Sequence, residues 1–183
     1  MRDDKKGFIL ILNGISASGK STLASMLKEH LESKGIKSDI IDGDMTRKVF
    51  DDDMDLDREA RLMAFKRNSF GAYMLSRNGI NVIMACIIGL EEMRQFLDKK
   101  LGYIEVLLDA DIKDCMQNDP KGVYKKNLQL TKPNIVGHDI PFHKPENPTL
   151  ILKPYKEEPE QSLMKIINML NEKGIINEND HRS

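Results

Sequence analysis

A glycine-rich segment near the N-terminus has the residue types and the spacing of a phosphate-binding loop. Residues 14–21 read Gly-Ile-Ser-Ala-Ser-Gly-Lys-Ser, which satisfies the pattern GxxxxGK[ST]. In such a loop the backbone N–H groups surround phosphate oxygens, the lysine reaches the β and γ phosphates, and the next hydroxyl ligates Mg²⁺. The pattern predicts that Lys20 is catalytic, that Ser21 is a magnesium ligand, and that a nucleoside triphosphate binds at Gly14, Ser16, Ala17, Ser18, Gly19, Lys20, Ser21 and Thr22.

A pair of carboxylates follows the next apolar run of the chain. Asp42 and Asp44 flank Gly43 directly after two isoleucines. Ligands of open α/β sheets bind outside the carboxyl ends of the strands, so this pair should face the glycine-rich loop. In phosphoryl transfer one carboxylate can orient Mg²⁺ while another accepts the proton of the attacking hydroxyl. We therefore expect both aspartates to be catalytic and Asp42 to serve the metal, although a solvated turn can have the same composition.

The apolar runs of the chain predict the strands that must position these residues. Near-continuous apolar runs are typical of parallel strands that are buried on both faces. Such runs occupy Phe8–Leu12, Ile80–Ile88 and Tyr103–Leu108, with Ile36–Ile41 as a weaker, partly polar fourth and Thr149–Leu152 as a last predicted strand. Apolar residues at helical spacing lie between most of these runs. The alternation predicts an α/β fold with a doubly wound, mostly parallel sheet.

Stripes of large apolar residues at helical spacing indicate which helix faces should pack in the core. Four such stripes are Leu23, Met26, Leu27 and Leu31; Met63, Phe70 and Met74; Met93, Phe96, Leu97 and Leu101; and Leu163, Ile166, Ile167 and Leu170. We expect the methionines to fill irregular gaps in that core. Gly35, Gly79 and Gly102 fall where helices should end, and each is predicted to be a left-handed C-terminal cap.

Residues 119–148 differ in composition from the rest of the chain. They hold five of the seven prolines and show no clear periodicity. A long irregular segment inside a compact domain is more often functional than a plain connector, so we expect a mobile lid here. The chain length of 183 residues fits one domain, which we place at residues 1–176 and follow with a polar tail at 177–183.

The charge balance and the cysteine count exclude several classes of function. With 28 basic and 29 acidic residues, the chain has no global positive field that would draw it to a nucleic acid polymer or an anionic membrane. Cys86 and Cys115 form no CxxC motif, which disfavours a zinc site or a redox dithiol. The first apolar run, Phe8–Leu12, is too short for a signal peptide or a spanning helix. We expect a reduced, cytoplasmic protein that acts on small molecules.

Four segments together resemble the adenylylsulfate kinase family. They are the glycine-rich loop, the Asp42–Asp44 pair with Arg47, the run Asp119-Pro120-Lys121-Gly122-Val123-Tyr124-Lys125-Lys126, and Gly137-His138-Asp139-Ile140-Pro141-Phe142 with the prolines after it. In that family the last three read DGDNVR, DPKGLYKK and GIDxPYExPExPEL, and the resemblance covers residues 8–152. It implies a P-loop NTPase fold of the nucleotide kinase-like type, with ATP and Mg²⁺ as cofactors. It also implies transfer of the γ-phosphate to the ribose 3′-hydroxyl of adenosine 5′-phosphosulfate, also called adenylyl sulfate.

The resemblance further implies where this nucleotide acceptor binds. By position, the acceptor site would include Asp44, Arg47, Leu56, Arg61, Ala64, Ile87, Ile88, Lys121 and Ile135. Family members carry aromatic rings at the positions of Leu56 and Ile135 and an asparagine at that of Ala64. The family serine that is at times assigned as a phosphoserine intermediate corresponds to Ile88, which has no hydroxyl. The resemblance therefore favours direct in-line transfer.

The two missing rings leave the identity of the acceptor open. Stacking on an aromatic ring contributes about 1–3 kcal/mol per base, so their loss should weaken the selection of adenine. One known type of relative phosphorylates cytidine diphosphoramidate for bacterial capsule phosphoramidate, and a pyrimidine would suit two aliphatic side chains. A non-catalytic nucleotide-binding module and a small-molecule kinase with no nucleotide acceptor would also fit a phosphate-binding loop. The oligomeric state also stays open, with a homodimer as one option.

Overall fold

A computed structural model describes residues 6–50, 57–131 and 133–177, apart from the side chains of residues 44, 47 and 48. Within these ranges the chain forms five strands and seven helices, in the order β1 Ile9–Asn13, α1 Lys20–Ser33, β2 Ser38–Asp42, α2 Gly43–Val49, α3 Arg58–Arg77, β3 Asn81–Cys86, α4 Glu91–Lys100, β4 Ile104–Leu108, α5 Ile112–Gln117, α6 Val123–Asn127, β5 Leu150–Leu152 and α7 Pro159–Glu172. Each of the five predicted strands is present, and its ends have moved by at most two residues.

The strands form one parallel sheet in the order β2-β3-β1-β4-β5. The chain winds from β1 to β2 and β3 on one side and then crosses to β4 and β5 on the other. The carboxyl end of β1 therefore lies where the direction of winding reverses, which is the place where open α/β sheets bind ligands. The predicted doubly wound α/β fold is confirmed.

Helices cover both faces of the sheet. On one face, buried residues of α1 and α7 such as Leu27 and Leu170 pack in the same cluster as Leu10 of β1. On the other face, Met93 and Leu97 of α4 pack in a cluster that contains neighbouring residues of β1. The central strand is buried along its whole length because both layers cover it. The stripes predicted on α1, α4 and α7 are confirmed.

The predicted stripe on α3 is wrong, because its residues face solvent. Met63, Phe70 and Met74 are 49%, 65% and 41% exposed. The buried residues of α3 are Phe65, Asn68, Ser69, Ala72 and Ser76. Small side chains let a helix approach the sheet closely, and the serine hydroxyls on this face are satisfied by backbone carbonyls. Periodicity alone favoured the larger side chains and so selected the opposite face.

Two of the three predicted glycine caps are confirmed. Gly35 and Gly79 have φ angles of 69° and 76°. Gly102 is not left-handed, and that prediction is wrong. The helix before it, α4, ends at Lys100, and its C-cap residue Leu101 is already extended, with φ −134° and ψ 136°. The chain therefore continues straight toward β4 without a left-handed turn.

Residues 119–148 contain more regular structure than their composition suggests. Asp119 accepts hydrogen bonds from the backbone N–H groups of Val123 and Tyr124 and so starts the short helix α6. Farther along, Val136 and Ile140 form an isolated bridge. The mobility of this segment and the division of the chain into a domain and a tail stay predictions. Across the described ranges, every helix is too short or too polar to cross a lipid bilayer.

Candidate active site

The loop between β1 and α1 has the close packing and the backbone angles of a phosphate-binding loop. A Cβ at Gly14 would lie 2.7 Å from Ser18 Oγ and 2.8 Å from the carbonyl oxygen of Leu108, so this position has no room for a side chain. Ala17 and Gly19 are left-handed, with φ angles of 58° and 88°. Left-handed residues among right-handed ones turn successive N–H groups toward one side and form a concave anion-binding nest.

The side chain of Lys20 folds back over this loop. Its Nζ donates to the carbonyl oxygen of Ile15 at 2.5 Å and lies 3.4 Å from Ser18 Oγ. Burial lowers the pKa of the Lys20 ammonium to about 8, although nearby Asp42 acts in the opposite direction. A triphosphate in the loop would supply negative charge that favours the protonated lysine.

Ser21 and Asp42 meet at the carboxyl edge of the sheet. The hydroxyl of Ser21, at the start of α1, donates to Asp42 Oδ2 at 2.8 Å. Mg²⁺ prefers oxygen ligands and is commonly held by one or two carboxylates together with substrate phosphates and water. Among the described residues, no group of three or more His, Cys, Asp or Glu side chains could hold a metal ion. The Ser21–Asp42 pair fits a magnesium ion that takes its remaining ligands from phosphate and water.

Helix α2 begins directly after Asp42, so a helix follows β2 in place of the solvated turn that the composition also allowed. Its backbone carries Asp44 and Arg47, whose side chains lie outside the described part of the structure. Thr46 anchors the helix, because its Oγ1 lies 2.5 Å from Asn68 Oδ1 of α3 and 3.2 Å from the carbonyl oxygen of Asp42. The expected catalytic and acceptor-binding residues of this segment therefore sit on a helix that is tied to its neighbour.

Arg61 of α3 connects to the 119–148 segment. One of its Nη atoms donates to the carbonyl oxygen of Asn134 at 2.6 Å and to the side-chain oxygen of the same residue at 3.1 Å. Lys121 is exposed just before α6, and Ala64 is partly exposed on α3. Leu56 lies outside the described residues. The predicted acceptor residues thus come from several separate segments.

Two of the predicted acceptor residues have buried side chains. Ile135 is 3% exposed and packs with Ile15 and Tyr124 under the phosphate-binding loop. Ile88 is 1% exposed and belongs to the core on the α3 side of the sheet. Its neighbour Ile87 is partly exposed. The side chains of Ile88 and Ile135 therefore contact the protein interior in this structure.

Comparison with known proteins gives the family. A model of the adenylylsulphate kinase family matches residues 6–153. The chain belongs to this family. It is accordingly a kinase, a phosphotransferase whose acceptor is an alcohol group.

Relatives match over nearly the whole chain. An adenylyl-sulfate kinase of Halothermothrix orenii is 34% identical over 175 residues, which cover 95% of each chain. One of Clostridium acetobutylicum is 35% identical over 94% of this chain and 87% of its own. Among solved structures, the Mycobacterium tuberculosis APS kinase CysC in complex with AMPPNP and APS has a TM-score of 0.84 and 30% identity, covering 91% of this chain and 98% of that one.

The structure shows a buried polar network beside the phosphate-binding loop of this adenylylsulfate kinase family member, and the sequence analysis missed it. Asn13, at the end of β1, donates to Glu105 Oε1 at 2.8 Å and accepts the N–H of Ile88 at 2.9 Å. Arg94 of α4 donates to the other oxygen of Glu105 at 2.7 Å. This buried network joins the phosphate-binding loop to the loop after β3. The sequence feature that could have predicted this network is that Asn13 and Glu105 lie in otherwise apolar strands. A buried polar group without a partner there would be costly, so each of them should have one.

Proposed function

We propose that this enzyme transfers the γ-phosphate of ATP to the ribose 3′-hydroxyl of adenylyl sulfate. The observation that carries the kinase chemistry is the contact between Ser21 and Asp42 beside the phosphate-binding loop. It supports a magnesium-bound triphosphate at the carboxyl edge of the sheet. The acceptor is supported by adenylyl-sulfate kinases that match almost the full chain at 34% and 35% identity.

In this proposal the loop and α1 bind ATP. Backbone N–H groups of residues 14–22 surround the phosphates, and Lys20 exchanges its contact with Ile15 for the β and γ phosphates. Ser21 and Asp42 hold Mg²⁺, which would neutralise charge on the phosphates when bound. Asp44, carried by α2, accepts the proton of the attacking 3′-hydroxyl.

Residues of α2, α3 and the 119–148 segment bind the acceptor. Arg47 and Lys121 pair with its anionic 5′ group, because cations suit sulfate and phosphate oxygens. Arg61 acts through its contacts with Asn134, which join α3 to the segment that would cover the acceptor. Ile88 has no hydroxyl, so the phosphate passes directly from ATP to the acceptor.

Product analysis tests this function. Wild-type enzyme incubated with Mg-ATP and adenylyl sulfate should form ADP and a 3′-phosphorylated product, whereas Lys20→Ala should form neither. Magnetic resonance of the product distinguishes the 3′ from the 2′ position. ADP formation that does not depend on an added nucleotide acceptor would contradict the proposal.

A cytidine nucleotide is the second candidate acceptor. Its support is Ile135, an aliphatic and buried side chain at a position where the family has an adenine-stacking ring. Loss of stacking removes about 1–3 kcal/mol per base and reduces the advantage of a purine. The test is kcat/KM for adenylyl sulfate and for a cytidine 5′-diphosphate derivative. A hundredfold preference for adenylyl sulfate would exclude this candidate.

We further propose that the enzyme forms a homodimer through α3. The support is the exposed apolar stripe of Met63, Phe70, Tyr73 and Met74, since contiguous exposed patches of this kind mark interaction surfaces. Phe70→Glu should shift the sedimenting species from dimer to monomer. Met164→Glu, at an exposed methionine of α7, is the matched control and should leave the dimer intact. A monomeric wild type would contradict the proposal.

A further inference from the structure

Two tyrosine hydroxyls bind consecutive carbonyl groups of the phosphate-binding loop. Tyr124 of α6 donates to the carbonyl oxygen of Ser16 at 3.0 Å. Tyr155, in the turn after β5, donates to the carbonyl oxygen of Ala17. These carbonyls belong to the peptide units on either side of the Ala17 Cα atom. Two separate segments of the chain therefore hold the backbone around one residue.

That residue has an unusual conformation. Ala17 is left-handed, with φ 58°, a region that L-residues other than glycine adopt rarely. A trans peptide directs its C=O and N–H groups to opposite sides. The hydrogen bond that holds the Ser16 carbonyl therefore also directs the N–H of Ala17, and the bond to the Ala17 carbonyl directs the N–H of Ser18. Both N–H groups belong to the phosphate-binding loop, where in this structure the N–H of Ser18 donates to the carbonyl oxygen of Ile15 at 3.3 Å.

We propose that Tyr124 and Tyr155 are positioning residues that keep Ala17 left-handed and so preorganise the loop for a triphosphate. The proposal rests on ATP binding as part of the proposed function and does not depend on the identity of the acceptor. Neither hydroxyl has to touch the nucleotide. Each acts through the backbone of the loop.

The two tyrosines should contribute unequally. Tyr124 is 1% exposed and packs against Ile15 and Ile135, so water cannot readily replace its hydroxyl. Burial also raises the pKa of this phenol, which keeps it protonated as a donor. Tyr155 is 42% exposed, and water can take over part of its role. The larger effect is therefore expected at Tyr124.

Direct binding of Mg-ATP to the full chain, measured by calorimetry, tests this proposal. Tyr124→Phe keeps the ring and removes the hydroxyl, and it should raise the Kd by about 3- to 10-fold, as expected for one lost hydrogen bond. Tyr155→Phe should raise the Kd by less than about threefold. Tyr103→Phe is the matched control, because the Tyr103 hydroxyl binds Asp98 rather than the loop, and it should leave the Kd unchanged.

A rescue experiment separates positioning from a general structural defect. Glycine adopts the left-handed region freely, so Ala17→Gly should recover at least half of the affinity lost in Tyr124→Phe. The KM of the acceptor should stay at the wild-type value both in Tyr124→Phe and in the variant that combines it with Ala17→Gly. This proposal alone would be overturned if all three phenylalanine variants bound Mg-ATP with the Kd of the wild type. It would also be overturned if Ala17→Gly did not recover the affinity lost in Tyr124→Phe. A wild type that does not bind Mg-ATP would overturn the proposed function and this proposal with it.

Discussion

The ammonium of Lys20 is less stable in the folded protein than in water, since burial lowers its pKa to about 8 from the usual 10.5. Between these two values the unfolded chain binds more protons than the folded one, so the free energy of unfolding should rise with pH in this window. Below the window the charged lysine opposes folding. A side chain placed at such a cost is expected where a negatively charged ligand binds.

Lys20→Met should therefore abolish turnover and yet stabilise the protein without nucleotide, by on the order of 1–3 kcal/mol near pH 7. Urea unfolding and initial rates measured on the same preparation test both parts. Lys28→Met is the control on the same helix. A hydrogen bond from Lys28 to Asp39 raises the pKa of Lys28, so the removal of this lysine should not stabilise the protein. A less stable Lys20→Met variant would refute this account of the lysine.

The two aspartates after β2 should respond differently to amide substitution. Asp44→Asn should lower kcat by about 10²–10⁴-fold with little change in ATP affinity, if Asp44 accepts the proton of the acceptor. Asp42→Asn should instead raise the Mg²⁺ concentration needed for half-maximal rate, because Asp42 lies beside Ser21. Rates measured over a Mg²⁺ titration distinguish the two effects. Near-normal kcat for both variants at saturating Mg²⁺ would show that neither carboxylate takes part in catalysis.

At the scale of elements, Gly137 sets how closely the 119–148 segment approaches the phosphate-binding loop. A Cβ at Gly137 would lie 2.6 Å from Cγ2 of Ile15, and its φ is 92°. Gly137→Ala should lower the free energy of unfolding and also raise the KM for ATP, because the displaced Ile15 belongs to the loop.

Gly35→Ala provides the control for that substitution. Gly35 is also left-handed, with φ 69°, but no atom lies within 4 Å of a Cβ built there. The Gly35→Ala variant should lose only about 1 kcal/mol of its free energy of unfolding, because alanine is less free than glycine to adopt this conformation. It should keep the wild-type KM for ATP. Equal KM values in the Gly137 and Gly35 variants would show that the contact with Ile15 does not affect the loop.

Helix α3 shows what a residue pattern leaves undecided about an element. Its sequence predicts a helix correctly, and in the structure the side chain of Asp57 caps it by accepting the N–H of Ala60. The buried face is decided by closeness of packing and by hydrogen bonds such as that between Asn68 and Thr46. The large apolar side chains on the other face are left exposed.

For the whole molecule, ligand binding should reduce the motion of residues 119–131 and 133–142. The segment holds Tyr124 and Ile135 against the phosphate-binding loop and receives Arg61 from α3. Kinases must keep water from the γ-phosphate, so closure over both substrates is expected. Hydrogen exchange should slow in this segment when Mg-ADP and the acceptor are both bound, while α7 exchanges as before. Equal exchange rates with and without ligands would contradict the prediction that this segment closes over the substrates.

The sequence by itself determined the strands, the phosphate-binding loop and the family. These follow from local rules: buried parallel strands need continuous apolar residues, and a phosphate nest needs glycine at positions such as Gly14 and Gly19. The Ser21–Asp42 contact could also be expected, since parallel strands present their carboxyl ends at the same edge of the sheet.

Only the tertiary structure decided which groups complete that edge. Tyr124 and Tyr155 reach the loop from segments far along the chain, and Asn13 meets Glu105 across neighbouring strands. No local pattern encodes such meetings, because they depend on where the crossovers place each element. The side chain of Ile135 illustrates the same limit: its position in the motif predicted a place in the acceptor site, and only the tertiary structure shows that it packs in a cluster with Ile15. Burial and hydrogen bonding between distant residues therefore settled what spacing had left open.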